Sequence, residues 1–173
     1  NATVAVAIAI DGAGLTFAEK DGWIEDKLEV SVRAIDSNAT LRGNEHFDLN
    51  IRMRAESRPI LIQTGFRVIS KIDVPPGKYT LHIGVREAGS GNLGTIFTDL
   101  EVPDFATLPL AMSGLVLTSV DTGGVPTGRA DQVDTRLPIV PSTTRAFRPV
   151  DELLIFAEIY DQENVTPHSV DLS

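Results

Sequence analysis

The chain has 173 residues, no cysteine and a formal net charge of −9. Without thiols there are no disulfides, no zinc–thiolate site and no cysteine nucleophile, and the singly scattered Lys and Arg residues offer no basic face to nucleic acid or to an anionic membrane surface. At 42% hydrophobic and 23% charged, a chain this long can bury a core without staples and suits one large β domain, or one domain plus part of another.

No run approaches the roughly 18 apolar residues of a membrane helix, so membrane insertion is not expected. The first residues, NATVAVAIAI, lack the basic segment of a signal peptide and an initiator Met. The chain therefore reads as a processed or excised piece, and Asn1-Ala2 is left out of functional reasoning. Thr3–Ile10 alternates Val4, Val6, Ile8 and Ile10 against Ala5, Ala7 and Ala9. Both faces are apolar, which predicts a strand covered on both sides or by a neighbouring domain. Turns at Asp11–Gly14 and Lys20–Gly22 flank a short strand over Leu15–Glu19. Trp23–Ile35 is a long strand with Leu28, Val30, Val32 and Ala34 inside, and Glu45–Arg54 a second with Phe47, Leu49, Ile51 and Met53 inside. Pro59 breaks the next stretch, which continues as an extended run over Ile60–Gln63, and Gly65–Ile72 is another strand.

Asp73–Arg86 carries the clearest pattern. The Pro75-Pro76-Gly77 turn feeds a strand in which Tyr79, Leu81, Ile83 and Val85 alternate with Lys78, Thr80, His82 and Arg86. Tyr79 stands where a tyrosine pins a corner in immunoglobulin-like sandwiches. A hairpin loop over Glu87–Asn92 and a strand over Leu93–Val102 follow. Turn signals recur about every 8–12 residues and no helical period is sustained, which is the pattern of an all-β chain. Residues 3–104 are thus expected to form an immunoglobulin-like antiparallel β-sandwich, with barrel closure left open by the pattern. Residues 105–173 are expected to be a β-rich extension or partial second sandwich. It holds strands over Leu108–Val120 and Asp151–Tyr160, the start of one over His168–Leu172, and a long irregular loop over 121–149.

Five segments together carry a family resemblance: TFAEKDG from Thr16, GFRVISKIDVPPGKYTLHIGVREAGSG from Gly65, DLEVPDF from Asp99, MSGLVLTS from Met112 and LLIFAEIYD from Leu153. Over about Leu15–His168 the chain resembles the region downstream of the von Willebrand A-type domain in large exported proteins of acidobacteria, the VWFA-related proteins. The resemblance implies an exported, multidomain, non-catalytic parent at the cell surface, in the periplasm or outside the cell, with this piece as an accessory β-sandwich. The A domain's Asp-x-Ser-x-Ser adhesion motif does not occur here, so no metal role carries over.

Motifs with chemistry are sparse. Gly89-Ser90-Gly91-Asn92-Leu93-Gly94 has the G-x-G-x-x-G spacing, but a strand rather than a helix is expected after it, which makes it a flexible hairpin loop and not a dinucleotide cradle. His46, His82 and His168 lack metal-ligand spacing and read as solvated histidines. No G-x-S-x-G occurs, and Ser113 in Met112-Ser113-Gly114 is expected to bond backbone. Asp11, Asp21, Asp36, Asn38, Asp121, Asp131 and Asp134 are loop oxygens that turn chemistry explains and that calcium could use. Asn38-Ala39-Thr40 and Asn164-Val165-Thr166 are glycosylation sequons that also suit turns. Trp23 is either a core anchor or an exposed platform for carbohydrate.

The sequence thus points to a non-catalytic structural or interaction module of a larger exported protein, with no cofactor and no nucleic-acid partner. Its expected partners are other domains of the parent or another exported protein, carbohydrate being the alternative, and an open sheet edge could also take a strand from a neighbour.

Overall fold

The computed structural model describes residues 1–119, 125–133 and 140–162. Strand β3 (Trp23–Asp36) organises it. Its inward side chains Ile24, Leu28, Val30, Val32 and Ala34 are all 0% exposed, so it needs neighbours on both edges and a cover on its face. Strand β4 (Leu41–Arg54) pairs with one edge from Trp23 to Ile35. The other edge is shared by the short β2 (Ala18–Lys20), opposite Trp23–Glu25, and by β6 (Gly77–Glu87), opposite Leu28–Asp36. Strand β7 (Leu93–Val102) then pairs with β6.

The cover is a second sheet. Strands β1 (Ala2–Ile10) and β5 (Phe66–Val74) pair antiparallel through nine residues without a register shift. Ile8, Ile72 and Val74 pack against Val30, Val32, Ala34, Tyr79, Leu81, Ile83 and Val102. A second cluster closes the end near Phe17, Ile24, Leu28, Ile51, Leu61, Phe66 and Val68. The architecture is an all-β antiparallel sandwich. The Tyr79 hydroxyl donates to Pro75 O at 2.8 Å and pins the double-proline corner.

Two local expectations change. Arg58–Thr64 is a helix, α1, with proline in its first turn and Gly65 (φ 63°) ending it. Proline there loses no helical hydrogen bond, and Leu61 alone turns into the core while Ile60 and Ile62 face solvent. The outer face of β1 is open among the described residues: Thr3, Ala5 and Ala9 are exposed. Alanine methyls add so little apolar area that water tolerates them.

Beyond Val102 the chain forms a bulged two-stranded ribbon. Strands β8 (Leu110–Met112) and β9 (Val116–Ser119) run antiparallel to β12 (Ile159–Asp161) and β11 (Leu153–Phe156), respectively. The long strands expected over Leu108–Val120 and Asp151–Tyr160 are each interrupted where residues 113–115 face 157–158. There the Ser113 N–H donates to Glu158 O and the Glu158 N–H to Ser113 Oγ, both at 2.8 Å. Residues 121–124 and 134–139 of the long loop, and the strand expected over His168–Leu172, lie outside the described residues.

What is described of that loop packs on the sandwich. Strand β10 (Thr127–Gly128) pairs parallel with β5, and the Arg67 N–H donates to Pro126 O at 2.8 Å. The buried Arg67 guanidinium donates to Val140 O and Pro141 O, and burial lowers its pKa. Arg129, held at φ 56°, lies over the Phe47 ring at 3.8 Å and pairs with Glu45 at 2.7 Å. Burial alone would push the Glu45 carboxyl up. Hydrogen bonds from Arg129, the Ser70 hydroxyl and the Lys71 N–H outweigh that and hold it below its ordinary value. Replacing Arg129 with Ala strips a half-buried carboxylate of its cation, so Arg129→Ala should speed exchange of the Arg67 amide several-fold while leaving β3 amides unchanged. Uniform acceleration across the sandwich would contradict this local clamp.

Candidate functional site

The two sheets do not cover each other evenly. β10 lies over the β4 side, next to Leu49, while β1 ends the second sheet on the β6–β7 side. A strand opposite another shares its face, so the β6–β7 register puts Leu100, Thr98, Ile96 and Gly94 on the same inward face as Tyr79, Leu81, Ile83 and Val85. Yet Ile96 is 56% exposed. Among the described residues the sandwich lacks a cover there, and the gap is a cleft of about 480 Å³. Its walls are the end of β1 (Ile8–Ile10), Ile83, Val85 and Glu87 of β6, and β7 from Leu93 to Ile96. Among the described residues β1 pairs only with β5 and β7 only with β6, so both walls are free strand edges.

The polar end of the cleft is Glu87, 2% exposed. It accepts hydrogen bonds from the Thr16 N–H, the Ser90 hydroxyl and the Asn92 amide. These donors come from the Ala88–Asn92 hairpin and from the segment following the 3₁₀ turn Gly12–Gly14. Behind Glu87 lies Asp26, a polar residue between Ile24 and Leu28 in the inward series of β3. Its Oδ1 accepts the Lys27 N–H at 2.7 Å, while its buried Oδ2 meets no donor among the described residues.

The Glu87 carboxylate neighbours Asp26, and the protonated Asp26 carboxyl can donate to it. Burial and the neighbouring Glu87 push Asp26 up to about 6, against the smaller opposing effect of the Lys27 N–H. Burial works in the same sense on Glu87, but its donors and the proton on Asp26 hold it below its ordinary value. Below about pH 6, Asp26 therefore carries a proton while Glu87 stays ionised. Glu87, held by Thr16, Ser90 and Asn92, ties β6 to the hairpin and to the segment before β2, with Asp26 of β3 beside it.

The residues singled out from the sequence do not converge. Gly89–Gly94 forms the β6–β7 turn and leads into a strand, with Gly91 at φ 77°. His46 and His82 sit on opposite sides of β3, opposite Ser31 and Arg33, and His82 meets the edge of Phe97 at 4.6 Å. His168, Asp121 and Asp134 lie outside the described residues. Asp11 caps the first 3₁₀ turn, Asp36 accepts the Asn38 and Thr40 N–H groups, and Asp131 accepts from Gln132. Trp23 belongs to neither core cluster. It is half-buried on the outer face, with the guanidiniums of Arg52 and Arg54 over its ring at 4.3 and 4.1 Å. Asp26 and Glu87 were not singled out, although alternation alone puts both at inward positions.

The acid pair generates a pH dependence. Between the ordinary Asp value of 3.8 and about 6, the folded chain keeps a proton that the unfolded chain has released. Stability from Asp26 therefore falls as pH rises through that window and stays low above it. The contribution of Glu87 has the opposite sign, being lost as pH falls below its ordinary value of 4.5 and through its lower folded value. Asp26→Asn supplies an N–H to Glu87 without borrowing a proton. The variant should melt higher than the wild type at pH 7.5 and lose the decline between pH 4 and 6. Parallel stability profiles for the two chains would contradict the protonated Asp26.

No family model matches the chain, and no curated protein or solved structure matches it either.

Proposed function

We propose that the chain is a non-catalytic structural and interaction module of a larger exported bacterial protein, and that its binding surface is the cleft between β1 and β7. One observation carries this reading: Ile96 faces inward, opposite Ile83, and is 56% exposed. An apolar side chain on the core face of a sheet, beside a free strand edge, is the geometry by which sandwiches accept an added strand. The export and the larger parent rest on the resemblance of the five sequence segments to VWFA-related proteins. The carbohydrate alternative needs an open aromatic face, and guanidiniums occupy that of Trp23.

The test has two arms on the full chain. Incubation with p-nitrophenyl acetate, phosphate and glucoside should give no turnover above buffer. Titration with a decapeptide of alternating Val and Thr should slow amide exchange at Ala5–Ile10 and Gly94–Ile96. Turnover abolished by Glu87→Gln would overturn the non-catalytic reading. Retention on insoluble polysaccharide that Trp23→Ala abolishes would replace it with the carbohydrate one.

A further inference from the structure

We infer that the partner of the cleft is an extended segment carrying one bulky apolar side chain, of phenylalanine size, that seats over Gly94 between positively charged flanks. This rests on the reading of the cleft as a strand-accepting surface and names what the segment must carry.

Nothing within the described chain requires a glycine at position 94. Glycine inside a strand gives up side-chain packing and weakens the strand. It is found where the backbone turns left-handed, where neighbouring backbone leaves no room for a side chain, or where a ligand or another chain comes close. The first two reasons fail here. Gly94 has no positive φ, and a Cβ built on it meets nothing within 4 Å. Gly12 and Gly43 differ, since a Cβ there would strike the backbone of Leu61 and Asp73. Gly94 pairs with Val85, so its absent side chain belongs to the inward face, and the space above it is the cleft. The cleft's volume of about 480 Å³ lies within the roughly 300–1,000 Å³ of pockets that enclose a ligand.

Geometry sets the size pattern of the occupant. A strand paired with the free edge of β1 lies about 10 Å above the facing sheet, and its same-face side chains are roughly 6.7 Å apart. β7 lies beyond that edge, where Ile96 is exposed. The inward side chains of the segment therefore point onto Gly94 and Ile96, which are themselves two residues apart on one face. Facing layers interdigitate when large stands opposite small. A bulky side chain fits over Gly94, among Ile10, Leu15 and Val85, which line the same space. A small one fits over Ile96. A lone segment brings no sheet of its own, so only these side chains meet β7.

Charge sets the flanks. Asp11 lines the cleft at the end of β1, Asp99 follows on β7, and no lysine or arginine lines the cleft. The whole chain stands at −9. Such a rim attracts a segment bracketed by lysines and repels one bracketed by glutamates.

Peptide titrations of the full chain, followed by amide exchange at Ala5–Ile10 and Gly94–Ile96, test this. Replacing one central Val of the alternating Val–Thr decapeptide with Phe should tighten binding about tenfold. The same Phe at a neighbouring Thr, on the opposite face, should give no gain. Lysines at both ends should bind more tightly than glutamates, by a margin that shrinks with added salt. Gly94→Leu fills the space from the chain's own side. It should abolish the gain from Phe, with Gly94→Ala intermediate, and melt no lower than the wild type. Equal affinities for the Val–Thr and Phe peptides, a gain from Phe on either face, or a gain that survives Gly94→Leu would overturn the inference and leave the cleft a strand acceptor. Glutamate ends that bind as tightly as lysine ends would do the same. Variants that melt far lower would show that the chain itself needs this glycine, which also overturns it. Failure of every peptide to bind would overturn the reading of the cleft as well.

Discussion

Strand β3 has partners along both edges and a sheet across its inner face, and the rest of the molecule follows from keeping its even-numbered side chains dry. Burying an Ile, Leu or Val side chain is worth roughly 1.5–3 kcal/mol, and β3 places several in succession at 0% exposure. The same alternation carries Asp26 inward with them. A lone carboxylate there would be costly, and below about pH 6 a proton on Asp26, beside the second inward acid Glu87 on the neighbouring strand, relieves the conflict. Glu87 in turn collects donors from the β6–β7 hairpin and from Thr16. A flaw in the apolar pattern of β3 thus becomes the tie that holds the loops at one end of the sandwich.

The opposite flank is held differently. Arg67 occupies an outward position on β5, yet it is buried because the later chain crosses it and offers carbonyl oxygens to its guanidinium. Arg129 inserts between Glu45 and the Phe47 ring on β4. Guanidinium groups suit this work, since they donate in several directions and stack on aromatic faces. The described part of the long loop therefore seals the β4–β5 side, whereas no described residue covers the β1–β7 side in the same way.

Much of the sandwich was legible in the sequence. Alternation in Trp23–Ile35, Glu45–Arg54 and Asp73–Arg86 assigned the inner faces correctly, and the Pro75-Pro76-Gly77 turn identified the role of Tyr79. Helix α1 was missed because seven residues are too few for a helical period to stand out from a broken strand. Trp23 was weighed as a core anchor on size, although the parity of its own strand turns it outward. Asp26 and Glu87 were readable from that same parity, as acids in an apolar series. The cleft was not, because exposure of Ile96 depends on which strands the second sheet lacks, and no local pattern encodes a missing neighbour. Arg67 shows the same limit in reverse, its burial depending on chain more than fifty residues away.

Among the described residues the sandwich is closed beside β4 and open between β1 and β7. Residue-resolved hydrogen exchange on the dilute chain tests it most directly. Protection should alternate along β1, with every second amide protected by β5 and those between exchanging nearly as fast as in an unfolded peptide. Along β3 protection should be continuous. Uniform protection of all β1 amides in dilute solution would mean that the chain covers this edge itself, and the open side would not exist.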